Sequence, residues 1–267
     1  MEKSTASPSP GIARWLSHAG FWTAVLLAAT AAAYAPVLRA GFVNFDDIQY
    51  VTGNPAVQGG LSRRGLVFAC TAMQGFWHPI TWLSHELDCE LYGLRPEGHH
   101  ATSLLIHLAT VAVCQAAWTA LTGARWRALA IAAMYALHPL HVESVAWIAD
   151  RKGLLADLFW MTALWGYARY ARTLRPGDYL LTAAAFLAGL ASKSTLLPLP
   201  AALLILDFWP LARLGPENAA RRRALVEKIP LFAAAVGFAV LAWRAQSGFG
   251  ALEMMTAPPW TVRLSLV

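Results

Sequence analysis

Long apolar runs separated by short polar clusters dominate this chain. The runs cover residues 21–38, 101–121, 126–148, 153–170, 179–211 and 229–245. A helix needs about 20 apolar residues to cross a hydrocarbon core. Pro139 interrupts the third run, which predicts a short helix ending near His138 and an irregular segment above it. The fifth run carries Lys193 in its middle. It reads either as one long helix or as two short ones turning at Ser192-Lys193-Ser194. Basic loops decide, because Lys and Arg gather on the cytoplasmic side. A hairpin leaves Arg213, Arg221, Arg222, Arg223 and Lys228 inside, with Arg125, Arg127, Arg169, Arg172 and Arg175. A single helix puts the first five outside. The pattern therefore predicts a hairpin, about seven spans in all, and an N-terminus inside. Its first arm has about 14 residues, ~21 Å of helix, which is less than the core thickness. Lys193 is expected below the outer surface, facing a cavity.

Residues 1–11 are small, polar and Pro-rich and read as a disordered tail. Arg14 and the Ala-rich end of the first run also fit a cleaved signal peptide. Either way the next segment, a long loop over 39–100, comes out on the far side. Within it, 61–73 and 76–94 are expected to be short helices lying in the interface, with Trp77 and Trp82 at that depth. Residues 12–267 then form one transmembrane domain.

Composition agrees with this class. Hydrophobic residues make up 57% of the chain and charged ones 13%; a soluble domain carries about 25% charged residues. The expected fold is all-α, a polytopic transmembrane helical bundle. A net charge of +6 raises nucleic acid as a partner. The basic residues sit in short clusters between apolar runs, where they orient helices, so nucleic acid is excluded. Cys70, Cys89 and Cys114 form no CxxC and no metal-type spacing. Cys70 and Cys89 share one loop and could pair in an oxidising compartment, although two free thiols is the simpler reading.

The most telling polar feature is Asp46-Asp47, directly after the first run. Two adjacent carboxylates there repel each other and resist desolvation. They are either a solvated loop start or a site for a base, a metal or an acceptor. The predicted topology brings Glu143, Asp150, Arg151, Lys152 and Lys193 to the same outer face. Such a set suits transfer from a phosphate leaving group, with cations on the phosphate and a carboxylate on the acceptor proton. Each cation also has a bland reading, as a snorkelling flank or the partner of a structural acid. Glu143 could simply pair with His138 or His141. Seven of the eight histidines lie between His78 and His141. None has a tight ligand spacing, so no metal site is assigned, and a divalent cation stays only as an open alternative.

At this point the chain resembles a known family. Phe45-Asp46-Asp47, then 76–85 (FWHPITWLSH), Gly98-His99-His100, 137–147 (LHPLHVESVAW), Arg151-Lys152 and 207–211 (DFWPL) look like the membrane part of the tetratricopeptide-containing O-mannosyltransferases. The likeness runs from about residue 40 to about residue 212. It implies a C-type (GT-C) glycosyltransferase fold, all helical, using a polyprenyl-phosphate sugar on the outer membrane face. It carries the acceptor role onto Asp46 and Asp47, and donor-phosphate binding onto Arg151 and Lys193, beside Lys152. Glu143, His138, His141 and His78 are expected to support them. Family members have more spans and then soluble tetratricopeptide repeats. No such repeats are present here, so an incomplete member is expected.

The expected function is an inverting transfer of a mannose-like sugar from a polyprenyl-phosphate donor to a hydroxyl acceptor, protein Ser/Thr or glycan, with membrane lipid as the surrounding partner. The expected location is the inner (cytoplasmic) membrane, multi-pass, with the site facing the periplasm or outside. Two other classes are weighed against it. One is a non-catalytic membrane scaffold or lipid-binding subunit. The other is a transporter, which would favour ionisable residues at mid-membrane and paired repeats. Here the charges gather at one face and no repeat is visible. The topology is directly testable. Single cysteines at Ser62 and Ser144 should react with an impermeant thiol reagent applied from outside, and one at Ala219 should not. Labelling at 219 in intact cells would reverse the assignment of sides.

Overall fold

A computed structural model describes residues 19–73, 75–215 and 218–248. The tail expected over 1–11 and Arg14 lie outside the described residues. The described residues are mostly helical, without a strand. The first helix, α1 (Ala19–Tyr34), continues as a 3-10 turn over Ala35–Arg39. The loop after it holds a π turn at Ile48–Thr52, a turn at Pro55–Gln58, α2 (Arg63–Thr71) and α3 (Pro79–Tyr92). Then come α4 (Pro96–Thr122), α5 (Arg125–Ala136), α6 (His141–Ala146), α7 (Arg151–Thr173), α8 (Pro176–Leu190), α9 (Leu199–Phe208), α10 (Asn218–Val226) and α11 (Ile229–Gly248).

Local sequence explains the boundaries. The Ser62 side chain accepts a hydrogen bond from the Gly65 amide at 3.1 Å and so starts α2. Pro79, Pro96 and Pro176 stand at the first turns of α3, α4 and α8, where a missing amide costs nothing. Gly123 ends α4 in the left-handed conformation at φ 72°. The third apolar run breaks after Ala136, two residues before His138.

The helix α7 is the central post, packed along α4 on one side and α8 on the other. The largest core joins α7, α8, α9 and α11 through Tyr167, Phe186, Leu190, Leu199 and Leu203. A separate small core lies within the outer loop and contains Tyr50, Val51, Val57, Trp82 and Cys89, closed by Ile148 and Ala149. Trp82 is therefore buried within the loop's own core, not standing at the interface as expected. Aromatic surface gains more from a dry contact than from partial hydration. Trp77 keeps some exposure and touches Phe238 of α11, with ring centroids 5.5 Å apart.

The hairpin is present. The chain leaves helical form after Leu190 and makes a 3-10 turn at Ser194–Leu196 before α9. Three contacts fix its direction. Asp178 at the start of α8 pairs with Arg169 of α7 at 2.9 Å. Lys193 at the turn pairs with Asp150 at 3.2 Å, beside the other end of α7. Asp207 at the end of α9 is back beside Tyr167, at 2.6 Å.

Among the described residues three stretches are long and apolar enough to cross a membrane: Gly20–Arg39, Pro96–Thr122 and Ala219–Ser247. The count of about seven rests on weaker elements. Helices stand at each expected place, but α5, α8 and α9 have only 12, 15 and 10 residues. The long α7 carries Asp157 within it and Arg151, Lys152, Arg169 and Arg172 towards its ends, and it is not among the three apolar stretches.

Below the main core lies a buried ion network. Asp207 has no exposed surface and accepts from Lys228 at 2.7 Å and Arg213 at 3.0 Å. Glu227 meets the same two cations at 3.0 and 2.6 Å. Tyr167 donates into the cluster from α7. Lys228 was expected as an ordinary basic flank; it is instead an internal partner. Removing one member of such a set leaves a charge without its counter-ion, which costs about 3–5 kcal/mol. Asp207→Asn should lower the unfolding midpoint of the detergent-solubilised protein sharply. An unchanged midpoint would mean that the network is not a structural lock.

Candidate functional site

The long loop between α1 and α4 folds back over the start of α7, and this brings the charged residues together. Asp47 is the fastener. One of its oxygens accepts from the Val43 amide and the other from the Ala149 amide, both at 2.8 Å. It has 1% of its surface exposed. Both sides of this carboxylate are therefore occupied by backbone. Asp46 differs: it is half-exposed, and among the described residues no hydrogen bond engages its side chain. The adjacent pair splits into an anchored carboxylate and an available one.

Four residues beyond Asp46, Tyr50 stacks on both His78 and Trp82, with centroids at 5.6 and 4.8 Å, and those two rings are 4.9 Å from each other. Its hydroxyl accepts a hydrogen bond from Lys152 at 3.2 Å. The Lys152 ammonium lies 4.4 Å from the Tyr50 ring centroid, a cation–π contact that holds the amine over the loop. Lys152 is within electrostatic reach of Asp150, Asp46, Lys193 and Asp47. Burial, and then the Lys152 charge, push the His78 imidazole down to about 4, so it stands neutral beside the cation.

The second cation comes from the hairpin. The backbone of this turn is held on both sides. The Lys193 amide donates to the Gly189 carbonyl at 2.9 Å. From α3, the Ile80 amide donates to the Ala191 carbonyl at 3.1 Å and the Thr81 hydroxyl to the Ser192 carbonyl at 3.0 Å. Lys193 itself is about one third exposed and reaches Asp150. Asp150 in turn accepts from the Ser144 hydroxyl at 2.6 Å.

Arg151 lies elsewhere. It has no exposed surface. Its guanidinium pairs with Asp88 at 2.8 Å and donates to Ser84, Ser103 and the His99 carbonyl. Four of the five N–H donors of this fork are engaged on internal acceptors, and the side chain is closed off from the surface. The reason is helical geometry: neighbours one residue apart point about 100° away from each other. Asp150 and Lys152 turn to the loop, and Arg151 turns inward.

The supporting residues divide too. His78 is at the site, under Tyr50. His141 packs at 4.1 Å on the Tyr135 ring, whose hydroxyl donates to Asp157 at 2.7 Å. His138 and Glu143 are exposed, and Glu143 makes no ion pair with either histidine. Among the described residues no group of three or more His, Cys, Asp or Glu side chains is arranged to hold a metal ion. Cys70 and Cys89 are free thiols, one exposed and one buried.

Sequence reasoning missed Tyr50, Asp88 and the role of Ser144. Tyr50 carried a usable signal, since residues four apart share a helical face and Asp46 marks that face. Nothing in the sequence singles out Asp88 among the loop acids.

Comparison with known proteins follows the geometry. The chain is 31% identical over 171 residues to the protein O-mannosyl-transferase Tmtc1 of Drosophila melanogaster, covering 61% of this chain and 20% of that protein. It is 32% identical over 155 residues to Tmtc2 of the same organism, covering 54% and 16%. With TMTC1 of Homo sapiens it shares 29% over 160 residues, covering 55% and 18%. The chain thus spans about a fifth or less of the length of these relatives. No family model matches the chain, and no solved structure matches it.

Proposed function

We propose that this chain, Tmtc-like over more than half of its length, is the membrane part of a glycosyltransferase that moves a mannose-like sugar from a polyprenyl-phosphate donor to a hydroxyl, a protein serine or threonine. One observation carries the reading. A half-exposed carboxylate without a hydrogen-bond partner, Asp46, shares one electrostatic neighbourhood with two cations, Lys152 and Lys193. The likeness to the named O-mannosyl-transferases supports it independently.

The chemistry is a single in-line displacement. The acceptor oxygen attacks the anomeric carbon while Asp46 takes its proton. The bond from that carbon to the phosphate oxygen breaks, and the polyprenyl phosphate leaves with one more negative charge. It needs no general acid, only positive charge at the position where its own charge grows. Lys152 and Lys193 supply it. Arg151 leaves the donor-binding set in this reading and becomes the internal anchor of α7. Asp47 likewise becomes the anchor of the loop, which assigns the base to Asp46 alone. One displacement inverts the anomeric centre, unlike the two-step route of retaining enzymes. The fold would be of the C type, with the site on the outer face of the inner membrane, where lipid-linked donors present their sugars.

The separation of the two aspartates is the test. Asp46→Asn should lower mannose transfer by about 10²-fold or more, with the donor KM nearly unchanged. Asp47→Asn should instead lower the amount of folded protein, with turnover per folded molecule much less affected. Near-normal turnover in Asp46→Asn would remove the general base and with it this mechanism.

A further inference from the structure

We infer that Asp150 is the positioning residue of the donor site: it holds the Lys193 ammonium where a phosphate can meet both lysines. The inference rests on the proposed polyprenyl-phosphate chemistry and extends it to a residue that makes no contact with the reacting atoms.

The geometry is a three-part chain. Ser144 of α6 donates to one oxygen of Asp150 at 2.6 Å. Lys193 of the hairpin turn donates to the other at 3.2 Å. The carboxylate thus has a fixed orientation, with Asp150 only 14% exposed and Lys193 34% exposed. A lysine on a four-carbon stem has many rotamers, and immobilising it costs entropy that a preformed pair supplies before the ligand arrives. Lys152 is held by Tyr50, through its hydroxyl and its ring face. Asp150 is the largest electrostatic neighbour acting on Lys152 as well, with Lys193 and Asp46 also within reach. One carboxylate therefore pairs with Lys193 and acts electrostatically on Lys152, which offsets the repulsion between the two cations. When a donor phosphate enters, it takes over that role from Asp150 at the exposed side of Lys193.

Gly153 supplies the space. A Cβ at residue 153 would lie 2.7 Å from one Asp150 oxygen, 3.1 Å from the other and 3.1 Å from the carboxyl carbon. No side chain other than hydrogen fits there without moving the Asp150 carboxylate. Gly153 is in the first turn of α7, where alanine is otherwise the better helix former by about 1 kcal/mol. Gly153→Ala therefore shifts the Asp150 carboxylate while the fold stays sound and no polar group is removed.

The experiment measures donor and acceptor KM and kcat for the full chain in membranes, with polyprenyl-phosphate mannose as donor. The variants are Asp150→Asn, Gly153→Ala, Lys193→Ala and the double variant Asp150→Asn/Lys193→Ala. Loss of one charge-assisted contact corresponds to about a tenfold rise in donor KM. That rise is expected in Asp150→Asn and in Gly153→Ala, with kcat and acceptor KM within about twofold of wild type. In the Lys193→Ala background, Asp150→Asn should add less than about twofold, because the group it positions is gone. An unchanged donor KM in both Asp150→Asn and Gly153→Ala, or a full tenfold further loss in the double variant, would overturn the inference. Native mass spectrometry with polyprenyl phosphate separates the two levels. If the wild type binds that lipid but transfers no sugar, and Asp150→Asn weakens binding, the proposed reaction fails and the positioning role stands. If the wild type does not bind polyprenyl phosphate at all, both fail.

Discussion

Arg151 is a cation with no access to water, and the half of the molecule at the first turn of α7 is arranged around it. A buried guanidinium is tolerated only when its donors find acceptors, since an unpaired charge in a dry site costs several kcal/mol. Here the acceptors come from two different elements. Ser84 and Asp88 belong to α3, and Ser103 and the His99 carbonyl belong to α4. Satisfying one side chain therefore fixes both helices against the first turn of α7. The residues on either side of Arg151 inherit the result. With Arg151 held inward, Asp150 and Lys152 turn toward the loop that carries Asp46 and Tyr50.

Two further constraints complete the outer site. The first is Asp47, which links the loop to the turn before α7 through two backbone amides. The second is the small aromatic core beneath Tyr50, where His78 and Trp82 stack on the ring that holds Lys152. Burial keeps the His78 imidazole neutral, so it adds no charge beside the amine. The far end of α7 is built differently. About 15 residues beyond Lys152, ~22 Å of helix, Tyr167 joins a set of four charges that neutralise one another. That network is closed on itself and joins α9 and the start of α11 to α7. The cluster at the first turn of α7 has a partly exposed carboxylate and a partly exposed cation, as a site that exchanges ligands needs.

Much of the helical layout was legible because long apolar runs and basic clusters are strong signals. The hairpin followed from the placement of Arg213 through Lys228, and the end of the third run from Pro139. The seven-span count was less secure, because α5, α8 and α9 are short and length alone does not mark a span. At the site, the sequence located Asp46, Asp47, Lys152 and Lys193 on one face but not their division of labour. Which of two adjacent carboxylates meets backbone amides depends on contacts more than 100 residues apart in the chain, such as Asp47 with Ala149. The inward, paired position of Arg151 was illegible for the same reason. Its partner Asp88 lies 63 positions away, and no local spacing connects them. Trp82 was placed at an interface because tryptophan favours that depth, whereas the loop has a core of its own.

The account claims that the donor's phosphate is met by the outer cluster of Asp46, Lys152 and Lys193 and not by the ion network at the opposite end of α7. A photoreactive polyprenyl-phosphate sugar, cross-linked to the protein in its membrane and mapped by mass spectrometry of the peptides, tests this directly. The account predicts adducts in the peptides that contain residues 46–50, 150–152 and 193, competed away by unlabelled polyprenyl phosphate. Competed adducts confined to the peptides of Tyr167, Asp207, Arg213 and Lys228 would contradict it.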